Sequence, residues 1–573
     1  MENKTLHADF CVIGGGLAGL AAAVSAARRG VKTILIHDRP VLGGNASSEV
    51  RMWICGSNEF MESGFVEELR LENLYRNPLQ NYSVWDSILY GKAIAEKNLT
   101  LLLNTSCMDC RTEGNRIISV TAWQLTTYIK FEVFADYFAD CSGDSILAES
   151  SGAEYRTGHE ARAEFGESIA PETADRKTMG MSCLIQAREM DTPQKFIPPE
   201  WAHTYSSDAD LPNRDHELNF TQNFWWIELG GEDDSIRDTE TVRDELLKTA
   251  LGVWDHIKNH GDHGADNWAL EWIGFLPGKR ESRRYVGDLL MNQHHVSSGG
   301  RFDDIVAYGG WTMDDHHPAG FRYPGNPNIF HPAPTDFGIS YRSLYSKNID
   351  NLWFAGRNIS VTHVALSATR VMATCACIGE AVGVAASIAV REKIQPREVG
   401  QKFIRDLQQK ILQNDCYLPN VAMDIPQICK NAALTSSNGV SPESLRSTVL
   451  RQDAEAWHGK AGDSVEYTFA EPQAISGIQL IFDSALHRRR AEFKHLNMKA
   501  NYLRHEVPVE LPPELVRNFK LTAETACGET VTLCEANENC RRLIWFSAPD
   551  KYSKIKLTLL DDADRKVIGF RIF

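Results

Sequence analysis

Residues 10–13, Phe-Cys-Val-Ile, form a short apolar run, and glycines follow it at once. From Leu17 to Arg29 small and apolar residues recur at helical spacing, with Leu17, Leu20, Ala21 and Val24 on one face; a second apolar run fills 33–36. The order predicts strand, tight turn, helix, strand. Asn98–Asn104 is a further strand candidate, and 116–134 holds two strands rich in Ile, Thr, Val, Tyr and Phe, a meander. Val371–Val390 is the longest weakly polar stretch; because it contains Glu380 and several glycines and alanines, it predicts a buried helix rather than a membrane span. Residues 396–430 read as helical, with Val399, Phe403, Leu407 and Ile411 at three-to-four spacing, and Asn431–Pro442 reads as a linker. Past residue 440 the pattern changes to alternating runs at 464–469, 475–482, 543–546 and 554–559, which predict an antiparallel β-sandwich.

The first turn carries chemistry. Gly14-x-Gly16-x-x-Gly19 sits between the first strand and its helix, and the second strand ends beside Asp38 and Arg39. That is the order a dinucleotide site requires. Gly14 permits the tight turn, Gly16 admits a pyrophosphate to the helix N-terminus opened by Leu17 and Ala18, and Gly19 lets helix and strand close up. The alternative is a tight turn with no ligand.

Two later segments narrow the dinucleotide. Tyr137-Phe-Ala-Asp140-Cys-Ser142-Gly143-Asp144 follows the meander, and Asp350-Asn-Leu-Trp-Phe-Ala-Gly356-Arg357 precedes Gly379-x-x-x-Gly383. Here the chain resembles the FAD-dependent oxidoreductases of the glutathione-reductase-like two-dinucleotide-binding superfamily. Within it, the stretches Gly43-Gly44-Asn45-Ala-Ser-Ser-Glu49, 278–284 and Thr362-His-Val-Ala-Leu366 are similar to those of a bacterial subfamily. The resemblance covers about residues 8–430. It implies FAD as cofactor, held by Gly14, Gly16, Leu17, Ala18, Gly19, Asp38, Arg39, Gly43, Gly44, Asn45, Arg51, Ser142, Gly143, Asp144, Gly356, Arg357, Thr374 and Cys375. Two positions depart from the family. Arg357 stands where many relatives carry an aspartate, and His37 occupies the register of the ribose-binding acid, so that role passes to Asp38. Trp457, Gly462–Phe469 and Ile478–Asp483 loosely resemble discoidin-like, galactose-binding jelly rolls.

The expected fold is α/β: a Rossmann-like FAD-binding domain of 1–155 and 335–395, an inserted α+β substrate domain or cap at 156–334, a helical connector at 396–435, and the sandwich at 440–573. A length of 573 residues suits several domains. The net charge of −16 argues against nucleic acid and anionic membranes as partners. With thirteen cysteines and no basic-then-apolar N-terminal segment, reduced thiols and a cytoplasmic location are expected. Cys107-x-x-Cys110 and Cys375-x-Cys377 do not make a metal frame. His256-x3-His260-x2-His263 has near-helical metal spacing but no further ligand set in sequence, so it reads as a solvated helix end and no metal is expected. No second glycine fingerprint marks an NAD site, so the electron acceptor stays open; a homo-oligomer is compatible with the chain.

The cap holds seven of the thirteen tryptophans and eleven of the eighteen histidines. Trp225 and Trp226 are either a core pair or an aromatic wall for a sugar ring. His363 is the first candidate base, against a histidine that caps backbone; His316 and His317, after Asp314-Asp315, and His294-His295 are further candidates. Arg370 is either an anion clamp or one half of a salt bridge. Arg51 either contacts pyrophosphate or substrate or sits in a structural ion pair. Lys279–Arg284 is either a solvated face or, through Arg280, a carboxylate anchor. Thr374 and Cys375 are expected to offer backbone N–H groups to the flavin. The expected function is hydride transfer between a small polyhydroxylated substrate, a sugar or glycoside, and FAD, with a histidine as acid/base. The alternatives are reduction of an unsaturated carboxylate and a non-catalytic flavin-holding, glycan-binding protein.

Overall fold

The computed structural model describes residues 2–58, 61–449, 455–488 and 498–573. They form two compact units. The first comprises Met1–Glu59, Leu79–Leu407 and His495–Pro508; the second comprises Phe60–Pro78, Gln408–Lys494 and Val509–Phe573. The parts of the expected 440–573 module at 450–454 and 489–497 lie outside the described residues.

The first unit is built on a sheet of β1 (Glu2–Ile13), β2 (Thr33–Ile36), β3 (Leu99–Leu102), β4 (Thr105–Glu113), β5 (Arg116–Gln124) and β6 (Ile129–Asp140), in the order β3-β2-β1-β6-β5-β4. β3, β2, β1 and β6 run parallel, whereas β4 and β5 complete the antiparallel meander. The C-terminal end of β6 also pairs in parallel with Leu352–Phe354. Between β1 and β2, helix α1 (Leu17–Arg28) is buried almost throughout, as its small residues foretell. The Met372–Glu392 helix packs directly on α1. A Cβ on Gly379 would fall 2.0 Å from Ala18 O, and one on Gly383 2.3 Å from Ala22 O, so the two helix backbones touch. That helix is long and apolar enough to cross a membrane by composition, and 89% of its apolar window is buried within the fold.

Within the span expected as a cap, which shares one compact unit with this sheet, a core forms around the Thr239–Asn259 helix. Leu246, Ala250, Val253, Trp254 and Ile257 from the helix meet Phe224, Trp226 and Trp268. A three-stranded sheet sets Met181–Ser182 between Glu228–Leu229 and Gly278–Lys279. Strand Ile185–Glu189 pairs with Trp268–Ile273 and, at Arg188↔Tyr502, with a chain segment from far downstream. The sequence pattern places 498–508 in the C-terminal module. Its backbone instead extends this edge: Tyr502 N–H donates to Ala187 O and Glu189 N–H to Tyr502 O, both at 2.9 Å.

The second unit is a seven-stranded antiparallel sheet. Its two longest strands, Ser464–Phe482 and Leu543–Leu559, bend through register shifts. Ala433–Ser436, expected within a linker, pairs with Ser464–Phe482 because its backbone completes that edge. The helix expected over 396–430 is Pro396–Gln413, kinked at Phe403, and Gln427–Asn431; 414–426 contains no regular helix. Phe65–Arg76 belongs to this unit, where the buried Glu67 accepts from Ser484 and lies 3.8 Å from Arg542.

Candidate functional site

The glycine turn of the first unit is built for close approach. Gly14 has φ +98°, and a Cβ there would stand 2.5 Å from Cys141 O; a Cβ on Gly19 would stand 1.8 Å from Gly14 O. Neither position admits another residue without moving backbone. Gly16 caps α1 with no side-chain hydrogen bond, so the first N–H groups of the helix face outward, an arrangement suited to a diphosphate. The Gly43–Gly44 turn closes over it. Gly43 N–H donates to Gly15 O at 2.8 Å, and a Cβ on Gly44 would fall 3.1 Å from Gly16 Cα.

His37 explains the departure at the end of β2. The Gly15 N–H donates to His37 Nδ1 at 2.9 Å, and His37 Nε2 lies 3.0 Å from Val41 O. With Nδ1 accepting, Nε2 carries the proton and donates to Val41. Burial pushes this imidazole down to about 4, outweighing the nearby Asp38 carboxylate. The ring is a fastener for the turn, while Asp38 stands 61% exposed beside it. Arg39 Nη1 is buried with no hydrogen-bond partner, as are Arg357 Nε and Asn358 Oδ1. Orphaned polar atoms around a cradle of glycines fit a bound dinucleotide.

Ser142–Asp144 adjoins the Gly14 turn and meets Arg357 there. Asp144 bonds Arg357 at 2.8 Å and Lys279 at 2.9 Å; burial would raise its carboxyl, yet these cations hold it at about 2. Arg357, standing where relatives carry an acid, thus brings its own acid with it. The Asn45 amide donates to Lys279 O at 3.0 Å and ties the cradle to the cap strand.

The basic run 278–284 is neither a solvated face nor a free anchor. Lys279 pairs with Asp144, Arg280 with Glu228 at 3.2 Å, Arg283 with Glu149 at 3.1 Å, and Arg284 with both Glu281 and Glu160. It is a buried, ion-paired seam between cap and cradle.

Two charged clusters adjoin this seam. In the first, His316 Nδ1 lies 2.7 Å from Glu228, and His316 Nε2 lies 3.4 Å from Asp314. Arg370 donates to the Asp314 side chain at 3.2 Å and to its backbone O at 3.0 Å. The Trp225 ring stands edge-on to His316 at 5.2 Å, and Arg280 donates to Trp225 O at 3.3 Å. Burial acts to raise the Glu228 and Asp314 carboxyls, but Arg280 and His316 around the first, and His316 and Arg370 around the second, hold both below the ordinary carboxylate range.

In the second cluster His363, 1% exposed, opens the His363–Thr369 helix. Its Nδ1 lies 2.8 Å from Glu281 and its Nε2 3.1 Å from Asp315, and the His159 ring packs on it at 3.8 Å between centroids. Burial alone would lower this imidazole; Glu281 and Asp315 overcome that and raise it to about 10. Asp315 is held at about 2, again against burial, chiefly by His363.

Several expected roles change on these contacts. His363 is held between two carboxylates, the geometry of a buried imidazolium rather than of an open base. His295 closes the capping box of the Gln293–Ser297 helix, where Asn292 N–H donates to its Nδ1. His317 stacks on Tyr323 at 3.7 Å on the surface, apart from the clusters. Trp226 faces the cap core, stacked near Phe321, so only Trp225 borders the charged cluster. Arg51 directs its guanidinium to Ser48 O, Gln186 and the rings of Tyr82 and Trp272 rather than to a phosphate position. Cys375 N–H is used inside its own helix on Val371 O, and Ala373 N–H on Cys55 O, so the expected donation by Cys375 does not occur. Glu228 and Glu160 escaped the sequence reading, since no motif marks a lone acid whose partners lie far along the chain.

No curated protein matches the chain in sequence. Among solved structures, a geranylgeranyl bacteriochlorophyll reductase-like protein from Thermoplasma acidophilum is 13% identical, with 72% of this chain and 86% of that chain covered and a TM-score of 0.33. The flavin-dependent brominase Bmp2 is 9% identical over 71% of this chain and 86% of that chain, at a TM-score of 0.35. A family 32 carbohydrate-binding module from Streptococcus pneumoniae EndoD is 12% identical over 26% of this chain and 97% of that one, at 0.20. Residues 9–411, the span that carries the glycine cradle, the seam and both clusters, match the FAD dependent oxidoreductase family; the chain belongs to that family and its cofactor is FAD.

Proposed function

We propose that this oxidoreductase moves a hydride between FAD and a small polyhydroxylated substrate, a sugar or glycoside, with His316 as the acid/base. One observation carries the reading. Around His316, Arg370 Nε is a buried donor and Glu228 Oε1 a buried acceptor, each without a hydrogen-bond partner, and Arg280 Nη1, ion-paired 3.2 Å from Glu228 Oε2, makes no hydrogen bond there. A hydroxyl both donates and accepts, so vicinal hydroxyls satisfy all three, whereas a carboxylate satisfies the arginines and leaves Glu228 facing another anion. The charges of Arg280 and Arg370 are moreover already balanced by Glu228 and Asp314.

Bound FAD supplies the two-electron acceptor for a substrate C–H bond. Cradle glycines and Arg39 hold the dinucleotide. Glu228 holds the His316 ring through Nδ1 at 2.7 Å, and Nε2, whose contact with Asp314 is the longer one at 3.4 Å, is the nitrogen that takes the proton of the substrate hydroxyl. Trp225 supplies the apolar edge against which a sugar ring packs.

Thirteen free thiols, seven of them buried, support a reducing, cytoplasmic setting. The acidic chain favours neither nucleic acid nor anionic membrane as partner.

The test is anaerobic bleaching of the FAD-loaded protein by a panel of sugars and polyols. A sugar that bleaches the flavin in wild type and does so at least about a hundredfold more slowly in His316→Gln supports the reading. If reduced flavin is instead reoxidised by enoates while no polyol bleaches it, the reaction is the reduction of unsaturated acids and this assignment falls.

A further inference from the structure

The cap carries a second constellation, apart from the charged clusters. His256 is fully buried in the last turn of the Thr239–Asn259 helix, and His263 follows in the next loop. Sequence spacing shows these two; the fold adds Asp208 and His216 from the loop that returns across the helix. One donor atom from each of Asp208, His216, His256 and His263 lies within 4.8 Å of every other.

Three of the separations match the edges of a four-coordinate cation site, and His216 lies within 4.8 Å of the other three donors. His256 Nε2 stands 3.0 Å from Asp208 Oδ1 and 3.1 Å from His263 Nε2, and His263 Nε2 stands 3.4 Å from Asp208 Oδ1. A tetrahedron with zinc–nitrogen bonds of about 2.0–2.1 Å has edges of about 3.3 Å. The tautomer is also set. His256 Nδ1 lies 2.9 Å from Tyr205 O, so the proton sits there and Nε2 presents its lone pair inward, the outer-shell arrangement that orients metal-binding histidines.

Without a cation, the contact between His263 and His256 is a hydrogen bond. That bond accounts for the 3.1 Å contact but leaves His216 Nε2 buried and without a partner, although the His216 ring stands 4.9 Å, between centroids, from both other rings. A cation gives all three Nε2 atoms the same partner.

The geometry points to a structural zinc site formed by Asp208, His216, His256 and His263. Four protein ligands close the coordination sphere, which is the arrangement of structural rather than catalytic zinc. The ion fastens the 205–216 loop to the helix end. His216 in turn stands 6.3 Å from the Trp226 ring in the cap core, so the site braces the wall that continues into Trp225 and Glu228.

The test uses tag-free, FAD-loaded full-length protein, stripped with a chelator and titrated with zinc sulfate. About one zinc per chain is expected by elemental analysis, with an upward shift in unfolding temperature on addition of zinc. Asp208→Asn and His216→Gln are expected to keep flavin absorbance and the unfolding temperature of the stripped protein, yet to bind zinc about a hundredfold more weakly. No stoichiometric binding by wild type, or equal affinity in wild type and His216→Gln, overturns the proposal. Loss of zinc binding without change in flavin content keeps this result separate from any failure of the proposed reaction.

Discussion

At the scale of single residues, charge partners decide more than residue type does. His363 sits in a buried cage of Glu281 and Asp315, and its raised value of about 10 is a statement about stability. A histidine raised above its free value contributes fully below a pH of about 6.5, and the contribution is lost as pH rises through about 10. His363→Gln removes the cation that stands between Glu281 and Asp315, leaving only Arg284 beside Glu281. It should cost about 3–5 kcal/mol near neutral pH, and the gap to wild type in chemical denaturation should narrow as pH approaches 10. A gap independent of pH would mean that the imidazole is neutral in the fold. The sequence revealed His363 as a residue of interest through its loop position, but its partners stand 82 positions away at Glu281 and 48 at Asp315, and spacing carries no trace of them. His37 shows the reverse: the sequence marked a misfit to an acidic position, and the fold explains it by the bond from Gly15.

At the scale of elements, the contact of α1 with the Met372–Glu392 helix sets the position of the glycine turn. Gly379 faces Ala18, one residue from Gly19 and two from Gly16. Gly379→Val places a side chain where backbone already stands, so the helices must part and the turn with them. The expected outcome is a loss of about 3 kcal/mol or more in stability, with purified protein depleted in flavin; a variant that retains wild-type flavin content would show that the turn is fixed without this contact. Strand, turn and helix here were legible because glycine and small-residue periodicity is local. The seam at 278–284 was not legible. A run of Lys and Arg looks the same whether water or acids face it, and the acids come from Asp144, Glu149, Glu160 and Glu228 on other elements.

At the scale of the whole molecule, chain order and spatial order diverge. Residues 498–508 follow three strands of the second unit in sequence and yet complete an edge of the first. Asn501 secures them: it accepts from Ala187 N–H at 2.8 Å and donates to the backbone of Asn219 and Gln222 at 2.9 and 2.8 Å. Asn501→Ala strips two buried backbone groups and one part-buried one of their partner and should lower the stability of the first unit by about 2–4 kcal/mol, read by tryptophan fluorescence during urea unfolding. An unchanged midpoint would mean that the segment merely lies on the cap. The sequence by itself determined the order of strand, glycine turn and helix, the meander, the buried apolar helix and the FAD signature, because periodicity and backbone sterics act between near neighbours. Only the tertiary structure decided which acid neutralises which arginine, which histidines converge in the cap, and where residue 501 belongs. Those contacts join residues tens to hundreds of positions apart, and their energy depends on burial, which exists only once the chain has closed around them.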